Sequence, residues 1–165
     1  MTSEFECRKA RLDEIEALTD LCMRSKQSNG YGDAFMAACE DELRVQESWI
    51  LENDFWVLET ADGVLAGCIR LETNQMERTG ELATCFVDPD FQGKGAGRKL
   101  FESFIARAKD LDLKHIWLDA DPSAEPFYAR MGFFTTGRAP SGSIPGRTLP
   151  RMEMKLKTAD LEQTS

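Results

Sequence analysis

A glycine-rich turn lies near the middle of the chain, between an apolar run and an amphipathic stretch. Gln92, Gly95 and Gly97 occur there in the pattern Gln-x-x-Gly-x-Gly. Glycines let the backbone turn without Cβ clashes and approach a ligand closely. The first amides of the following helix have no helical partners and lie at the positive end of its dipole, so they favour a phosphate group. The pattern predicts an anion-binding turn, beside which Lys94 and Arg98 add positive charge.

The spacing of the turn excludes two other phosphate loops. A Walker loop requires Gly-Lys followed by Ser or Thr, but Gly93-Lys94 is followed by Gly95. A dinucleotide-binding turn that began at Gly95 would need its third glycine where Leu100 stands. The structural alternative is a helix start at which glycine only permits tight packing.

A second motif follows about one helix and one strand later. Residues 121–133 read Asp-Pro-Ser-Ala-Glu-Pro-Phe-Tyr-Ala-Arg-Met-Gly-Phe. Together the two motifs resemble the GNAT superfamily of N-acetyltransferases, which binds the pyrophosphate of acetyl-CoA at the first motif and carries Ala-x-x-Phe-Tyr-x-x-x-Gly-Phe as the second. The resemblance extends over about residues 5–157. It implies an α+β fold, in which helices flank a central mixed, mostly antiparallel sheet with a splayed strand pair.

The resemblance also implies where acetyl-CoA, as co-substrate, contacts the chain. Its pyrophosphate is expected at the glycine turn and its pantetheine chain at the splayed strand end. Asp121 stands where many relatives carry an asparagine that bonds the pantetheine amides, although Asp121 or Ser123 could instead cap the next helix. The expected coenzyme-binding residues are Phe86, Val87, Gln92, Gly93, Lys94, Gly95, Ala96, Gly97, Arg98 and Asp121.

Acetyl transfer to an amine needs a base, an oxyanion donor and an acid. An alkylammonium has a pKa near ~10.4, so it must lose a proton before it attacks. Glu81 lies eleven residues before Gln92, the spacing at which the histone-acetylating branch of the superfamily carries its base. The resemblance further implies that the Val87 N–H stabilises the oxyanion and that Tyr128 protonates the leaving thiolate. The alternatives are a solvent-exposed strand-edge glutamate and a tyrosine that only packs.

Hydrophobic periodicity predicts the elements that position these residues. Period-two alternation places Glu81, Ala83, Cys85 and Val87 on one side of their strand. Asp13 is the predicted cap of the first helix. The predicted strands are 5–10, 55–60, 64–72, 81–87, 114–120, 133–137 and 151–156, and the predicted helices are 13–27, 33–43, 94–110 and 124–131, with a loop at 139–150.

The acceptor pocket is predicted only in outline. In the architecture that the resemblance implies, the first two helices, their connection and the loop before the last strand form the acceptor side. We therefore expect the following residues on the acceptor side: Tyr31, Asp33, Phe35 and the loop 141–147. His115 and Trp117 lie on a strand where packing roles are favoured.

Composition narrows the class of protein and of partner. The length of 165 residues favours one domain, expected over residues 1–157, with a polar tail at 158–165. A net charge of −9 argues against nucleic-acid binding, and no apolar run reaches the length of a membrane span. Five scattered cysteines and one histidine favour a reduced, cytoplasmic setting without a metal site. The sequence leaves open whether the chain forms a homodimer.

The sequence therefore predicts an enzyme that transfers the acetyl group of acetyl-CoA to a primary amine of a small molecule, amino acid or peptide. Both substrates are expected to be bound together, and the amine attacks directly. The alternative is a non-catalytic acyl-CoA-binding domain for sensing or interaction.

Overall fold

A seven-stranded sheet with five α-helices forms the part of the chain that the computed structural model describes, residues 5–157. The predicted polar tail at 158–165 lies outside the described residues. The strands are β1 (Phe5–Lys9), β2 (Asp54–Thr60), β3 (Leu65–Asn74), β4 (Thr79–Val87), β5 (His115–Asp119), β6 (Phe134–Pro140) and β7 (Thr148–Lys155). The helices are α1 (Ile15–Gln27), α2 (Asp33–Leu43), α3 (Glu47–Glu52), α4 (Ala96–Asp110) and α5 (Glu125–Met131).

The sheet has the strand order β1-β2-β3-β4-β5-β7-β6. Its neighbouring strands are antiparallel except for β4 and β5, which are parallel. That parallel pairing is short, since it joins only 79–81 to 115–117, and β4 continues to Val87 without β5 beside it. The predicted mixed, mostly antiparallel sheet with helices around it is confirmed.

Two hydrophobic cores pack against the sheet. The α4 core contains Leu100, Phe104 and Ala108, whose spacing places them on one face of that helix. It continues through Leu71, Ile116 and other strand residues. The α1–α2 core combines side chains of those two helices with β2 and β3: Leu18, Leu21, Cys22, Met36, Cys39, Val57 and Cys68. The helices therefore hold the sheet from both sides and leave the end of β4 between the two cores.

Local differences from the predicted elements have identifiable causes. Asp13 does not cap α1 but lies in a 3₁₀ turn at Leu12–Glu14 that precedes it. Helix α3 was not predicted, because six residues are too few to show a helical period. The loop predicted at 139–150 is shorter, since β6 and β7 continue their pairing as far as Pro140 and Thr148.

Three further observations concern membrane spans, metal ligands and cysteines. Residues 5–157 contain no helix that is both long and apolar enough to cross a membrane. Within the same range, no three His, Cys, Asp or Glu side chains are grouped so that they could hold a metal ion. All five cysteines are free, and Cys22, Cys39 and Cys68 are buried in the α1–α2 core.

Candidate active site

The glycine-rich turn leads directly into α4. A 3₁₀ turn at Pro89–Phe91 follows β4, and α4 begins at Ala96 rather than at the predicted Lys94. Gly93 and Gly95 have φ angles of +78° and +81°, a conformation that favours glycine. A Cβ added at either position would meet no atom within 4 Å. The unpaired amides at the start of α4 therefore adjoin open space, where an anion can approach.

Gly97 has a different role from the two glycines before it. A Cβ at this position would lie 3.2 Å from two ring atoms of Phe127 and 3.9 Å from Cγ2 of Val87. A side chain at position 97 would therefore press on the Phe127 ring, so glycine permits the close packing of α4 and α5. Gly97 thus fits the alternative that the sequence left open, in which glycine permits tight packing at the helix start. Gly93 and Gly95 instead adopt the positive φ angles that the turn needs.

We expect Gly97→Val to raise the dissociation constant for acetyl-CoA by at least about tenfold, or ~1.4 kcal/mol. The added side chain would displace Phe127 and project toward the space beside the turn. Isothermal titration calorimetry measures the change. Gly137→Val is the matched control, because a Cβ at Gly137 meets nothing within 4 Å and that residue lies on β6. A folded Gly97→Val protein with wild-type affinity would refute the placement of the coenzyme.

The end of β4 borders the opening in the sheet. The Asp88 N–H donates to the carbonyl of Ala66 on the β3 side, at 2.8 Å. Because amides alternate in direction along an antiparallel strand, those of Cys85 and Val87 point away from β3. They point toward the gap that β5 leaves. Val87 was predicted as an oxyanion donor, and the structure adds the Cys85 amide as a second group with the same direction.

Asp88 anchors this strand end. Its carboxylate accepts a hydrogen bond from the Arg24 guanidinium at 2.6 Å and from the Asp90 N–H at 2.9 Å. Although burial raises the pKa of Asp88, these donors lower it below its usual value overall. The carboxylate therefore stays charged and ties α1 to the start of the loop that carries the glycine turn.

One cavity of about 930 Å³ joins the glycine turn to the far end of β4. Lys94 does not line it, and its ammonium lies 5.7 Å from the centre of the Phe91 ring. The structure brings the other predicted residues together around one space. They are Glu81, Phe86, Val87, Gln92, Gly93, Gly95, Ala96, Gly97, Arg98, Asp121 and Tyr128.

Tyr128 lines the cavity with its ring packed between other aromatic side chains. The ring centres of Phe127 and Phe133 lie 5.2 and 5.8 Å from its own. Burial, and then the neighbouring Cys85 thiol, raise the pKa of Tyr128 well above its usual value. Burial also raises the pKa of Cys85 to about 12. Both groups are therefore protonated at neutral pH, and the sequence had not identified Cys85 as the partner of Tyr128.

A β-bulge corrects the predicted faces of β4. Arg70 pairs with Thr84 and Leu71 with Leu82, so Ala83 is an extra residue in the strand. Leu82 and Cys85 consequently both pack in the α4 core, which strict alternation would forbid. Glu81, next to Leu82, lies on the opposite face. The prediction that Glu81 shares one side with Cys85 and Val87 was wrong, although all three line the cavity.

Glu81 is half-buried, which distinguishes it from the solvent-exposed alternative. It pairs with Glu72 across the two strands, and Arg70 lies close enough to interact with it electrostatically. Burial, and then the charge of Glu72, raise the pKa of Glu81 above its usual value, while Arg70 lowers it. A carboxylate with a raised pKa is a stronger base near neutral pH.

Asp121 connects three segments of the chain at the edge of the cavity. Its carboxylate accepts hydrogen bonds from the Ser123 N–H at 3.0 Å and the Tyr31 hydroxyl at 2.9 Å, and Lys26 Nζ lies 3.2 Å away. Arg147 in turn donates to the Tyr31 hydroxyl at 2.6 Å. Burial raises the pKa of Asp121, but Ser123, Tyr31 and Lys26 outweigh it and lower the pKa to about 2. Asp121 thus caps the turn after β5, and its contact with the coenzyme stays a prediction.

The predicted acceptor residues lie outside the lining of the cavity. Tyr31 and Phe35 stack at 4.1 Å between ring centres, and Asp33 accepts a hydrogen bond from Gln27 at 3.0 Å. A different set lines the cavity beyond β4. The sequence contained one sign of this set, an arginine inside the apolar run of β3. The set comprises Asp41, Leu43, Trp49, Arg70 and Glu72.

His115 and Trp117 have the packing roles that were predicted for them. Nε2 of His115 lies 2.7 Å from Oε1 of Glu153 on β7. The Arg151 guanidinium lies 4.4 Å from the centre of the Trp117 ring. Both residues therefore support the pairing of β5 with β7.

Known proteins resemble this chain in sequence and in fold. A match to the acetyltransferase (GNAT) family covers residues 16–133. An amino-acid acetyltransferase of Ralstonia nicotianae is 35% identical over 129 residues, which are 76% of this chain and 26% of that protein. The chain thus spans about a quarter of that relative's length. The peptidyl-lysine N-acetyltransferase YjaB of Salmonella typhimurium is 26% identical over 149 residues, which are 89% of this chain and 94% of that protein.

A solved structure shares the fold. The PaiA N-acetyltransferase of Thermoplasma acidophilum, in complex with coenzyme A, superposes with a TM-score of 0.76 at 20% identity, over 93% of this chain and 100% of that one. At this identity the likeness concerns the fold. The family match covers well over half of the described residues. The chain therefore belongs to the acetyltransferase (GNAT) family.

Proposed function

We propose that the chain transfers the acetyl group of acetyl-CoA to a primary amine of a small molecule, amino acid or peptide, by direct attack while both substrates are bound. The observation that carries the proposal is the single cavity around which the glycine turn, Val87, Tyr128 and Glu81 lie. The names of the relatives, which include amino-acid and peptidyl-lysine acceptors, support the same range of acceptors.

The glycine turn has the properties that a pyrophosphate needs. Gly93 and Gly95 adjoin open space, and Arg98 lines the cavity beside the first amides of α4. When bound, the coenzyme would supply an activated acetyl thioester. Phe86 and Val87 would flank its pantetheine chain in the gap between β4 and β5, with Asp121 on the opposite side.

The chain supplies two oxyanion donors and one base as the amine attacks the thioester carbon. The amides of Val87 and Cys85, which point into the gap, would stabilise negative charge on the carbonyl oxygen. Glu81 would accept a proton from the acceptor ammonium, either directly or through water. The raised pKa of Glu81 suits this role because a base is most effective when its pKa lies near the working pH.

Tyr128 would supply the proton for the sulfur that leaves. As the nitrogen–carbon bond forms and the carbon–sulfur bond breaks, the Tyr128 hydroxyl donates its proton to the thiolate. Its raised pKa keeps the hydroxyl protonated before this step. The attacking nitrogen loses a second proton to solvent as the amide forms. Glu81 then releases its proton and Tyr128 regains one, so each acetyl transfer from an ammonium releases one proton overall.

Release of free coenzyme A thiol across a panel of amines tests the proposal. We expect thiol release that depends on an amine, together with an acetylated amine in equal amount. A non-catalytic acyl-CoA-binding domain would instead bind acetyl-CoA in calorimetry and release no thiol with any amine. Binding of NAD or ATP in place of acetyl-CoA would contradict both, and would indicate a phosphate binder of another kind.

A further inference from the structure

Arg70 is a buried charged residue that the proposed chemistry leaves without a role. It is 7% exposed, and its strand neighbours Ile69 and Leu71 are fully buried apolar residues of β3. Burial lowers the pKa of Arg70 from its usual value, which reflects the cost of desolvating a guanidinium. Packing alone would be satisfied by an apolar side chain at this position. The buried guanidinium therefore indicates a role for Arg70 beyond packing.

Three contacts hold the guanidinium in one orientation. It stacks on the Trp49 ring, with 3.8 Å between Cζ and the ring centre. Nε donates to the Thr84 hydroxyl at 3.0 Å and Nη1 donates to the Asn53 side-chain oxygen at 2.8 Å. Because these contacts come from α3, β4 and the residue before β2, the guanidinium is rigid before any ligand arrives.

One edge of this guanidinium is left for a ligand. Among residues 5–157, Nη2 of Arg70 has no hydrogen-bond partner, while the side chain lines the cavity. It forms an ion pair with Glu72, which lies 3.4 Å from Nη1 and is itself half-exposed, and Glu81 also interacts with it electrostatically. A planar guanidinium with an unpaired N–H in a desolvated site is suited to a carboxylate.

The guanidinium lies near the proposed reaction centre. Thr84, to which Nε is bonded, is two residues from Phe86, so they are separated by about 6.6 Å along the strand. Phe86 packs in the same α1–α2 core as Trp49, on which Arg70 stacks. A molecule that reaches from the end of β4 to Arg70 would therefore be small. Its amine and its anionic group would lie on neighbouring carbons or a few bonds apart.

We propose that Arg70 is a specificity-determining residue that binds a carboxylate of the acceptor, so that the acceptor is a small amino-acid-type molecule with a primary amine and a free carboxylate. This inference rests on the proposed acetyl transfer to amines. A polyamine, which has no anionic group, would place a cation beside a desolvated guanidinium and leave Nη2 unpaired. The amine of the acceptor would lie toward Phe86 and Val87, and its carboxylate toward Trp49.

Matched acceptors test the proposal on the wild-type protein. The twenty amino acids are compared with their carboxamides, which keep the amine and the side chain but lack the negative charge. For the best acceptor, we expect kcat/KM to be about tenfold or more higher for the amino acid than for its amide, mainly through KM. A ratio near one, with acetylation of amines intact, would overturn the role of Arg70 and leave the proposed function standing. Acetylation of spermine in preference to every amino acid would also overturn it.

Variants then assign the preference to Arg70. Arg70→Gln is expected to bring the acid-to-amide ratio close to one, and Arg70→Lys to keep part of it, because a single ammonium cannot replace the planar guanidinium. Arg8→Gln is the matched control: Arg8 also binds two carboxylates, those of Glu14 and Glu59, but lies outside the cavity. Its ratio should equal that of the wild type.

Different results would contradict the proposed function and the proposed carboxylate site. If no amine is acetylated by the wild-type protein, the proposed function is wrong. If amines are acetylated and Arg70→Gln, still binding acetyl-CoA, keeps the wild-type ratio, only the carboxylate site is wrong. Should Arg70→Gln not fold, the acid-to-amide comparison on the wild-type protein decides the matter.

Discussion

Tyr128→Phe is expected to lower kcat by about 10²-fold while the dissociation constant for acetyl-CoA stays near its wild-type value. The substitution removes the proton donor and keeps the ring that packs against Phe127 and Phe133. The loss should fall toward the lower end of the effect of a positioned acid, because solvent can partly replace the hydroxyl. Steady-state thiol release measures kcat, and calorimetry measures the affinity.

The chain offers a matched control in its other tyrosine. Tyr31→Phe also removes one hydroxyl, but Tyr31 lies outside the cavity lining, and its hydroxyl bonds Asp121 and Arg147. We expect Tyr31→Phe to change stability more than kcat, and Tyr128→Phe to do the reverse. Equal turnover by the Tyr128→Phe and wild-type proteins would mean that Tyr128 only packs and that the thiolate is protonated by another route.

The pH dependence adds a second check on Tyr128. Its pKa is raised by burial, so the hydroxyl should remain protonated well above pH 10. We therefore expect no alkaline loss of kcat that belongs to Tyr128 within the range in which the protein stays folded. An alkaline limb that disappears in the Tyr128→Phe protein would contradict this expectation.

Glu81→Gln is expected to lower kcat/KM for the amine by about 10²-fold or more near neutral pH. Glutamine keeps the size of the side chain but cannot accept the ammonium proton. Part of the loss should return as the pH approaches the pKa of the acceptor amine, near ~10.4, because the free amine then forms without a base. The measurement is a pH–rate profile of both proteins. An unshifted profile in a folded variant would rule out Glu81 as the base.

Glu72→Gln provides the contrasting variant for Glu81. Glu72 faces Glu81 across the strands, and its charge raises the pKa of Glu81. Removing that charge should shift the acidic limb of the profile to lower pH while the activity persists. Glu81→Gln should instead abolish this limb.

The stability of Glu81→Gln separates a base from a structural glutamate. Because the folded pKa of Glu81 is raised, its stabilising contribution is present below the usual carboxyl pKa of 4.5 and is lost as the pH rises through the folded value. Glutamine stays neutral throughout. We therefore expect the thermal midpoint of Glu81→Gln to be at or above that of the wild type at pH 7, and the difference to shrink below pH 4.5. A markedly lower midpoint at pH 7 would favour a structural role.

The sequence alone determined the features that depend on neighbours along the chain. The glycine turn, the apolar face of α4 and the segment that contains Tyr128 were predicted because backbone freedom and helical period are local properties. The family resemblance rests on the same contiguous motifs. The mixed, mostly antiparallel sheet followed from these elements and that resemblance.

Only the tertiary structure decided which side chains face each other within the site. The bulge at Ala83 moved Glu81 to the other face of β4, since the register of β3 against β4 is set by long-range pairing. Tyr31 and Asp121 meet although 90 residues separate them, and Arg147 joins them from the loop before β7. The Cys85 thiol beside Tyr128, and Arg70 between Trp49, Thr84 and Asn53, likewise depend on packing between distant segments. The type of chemistry could therefore be recognised from local motifs, whereas the acceptor end of the cavity is built from residues that only the folded sheet brings together.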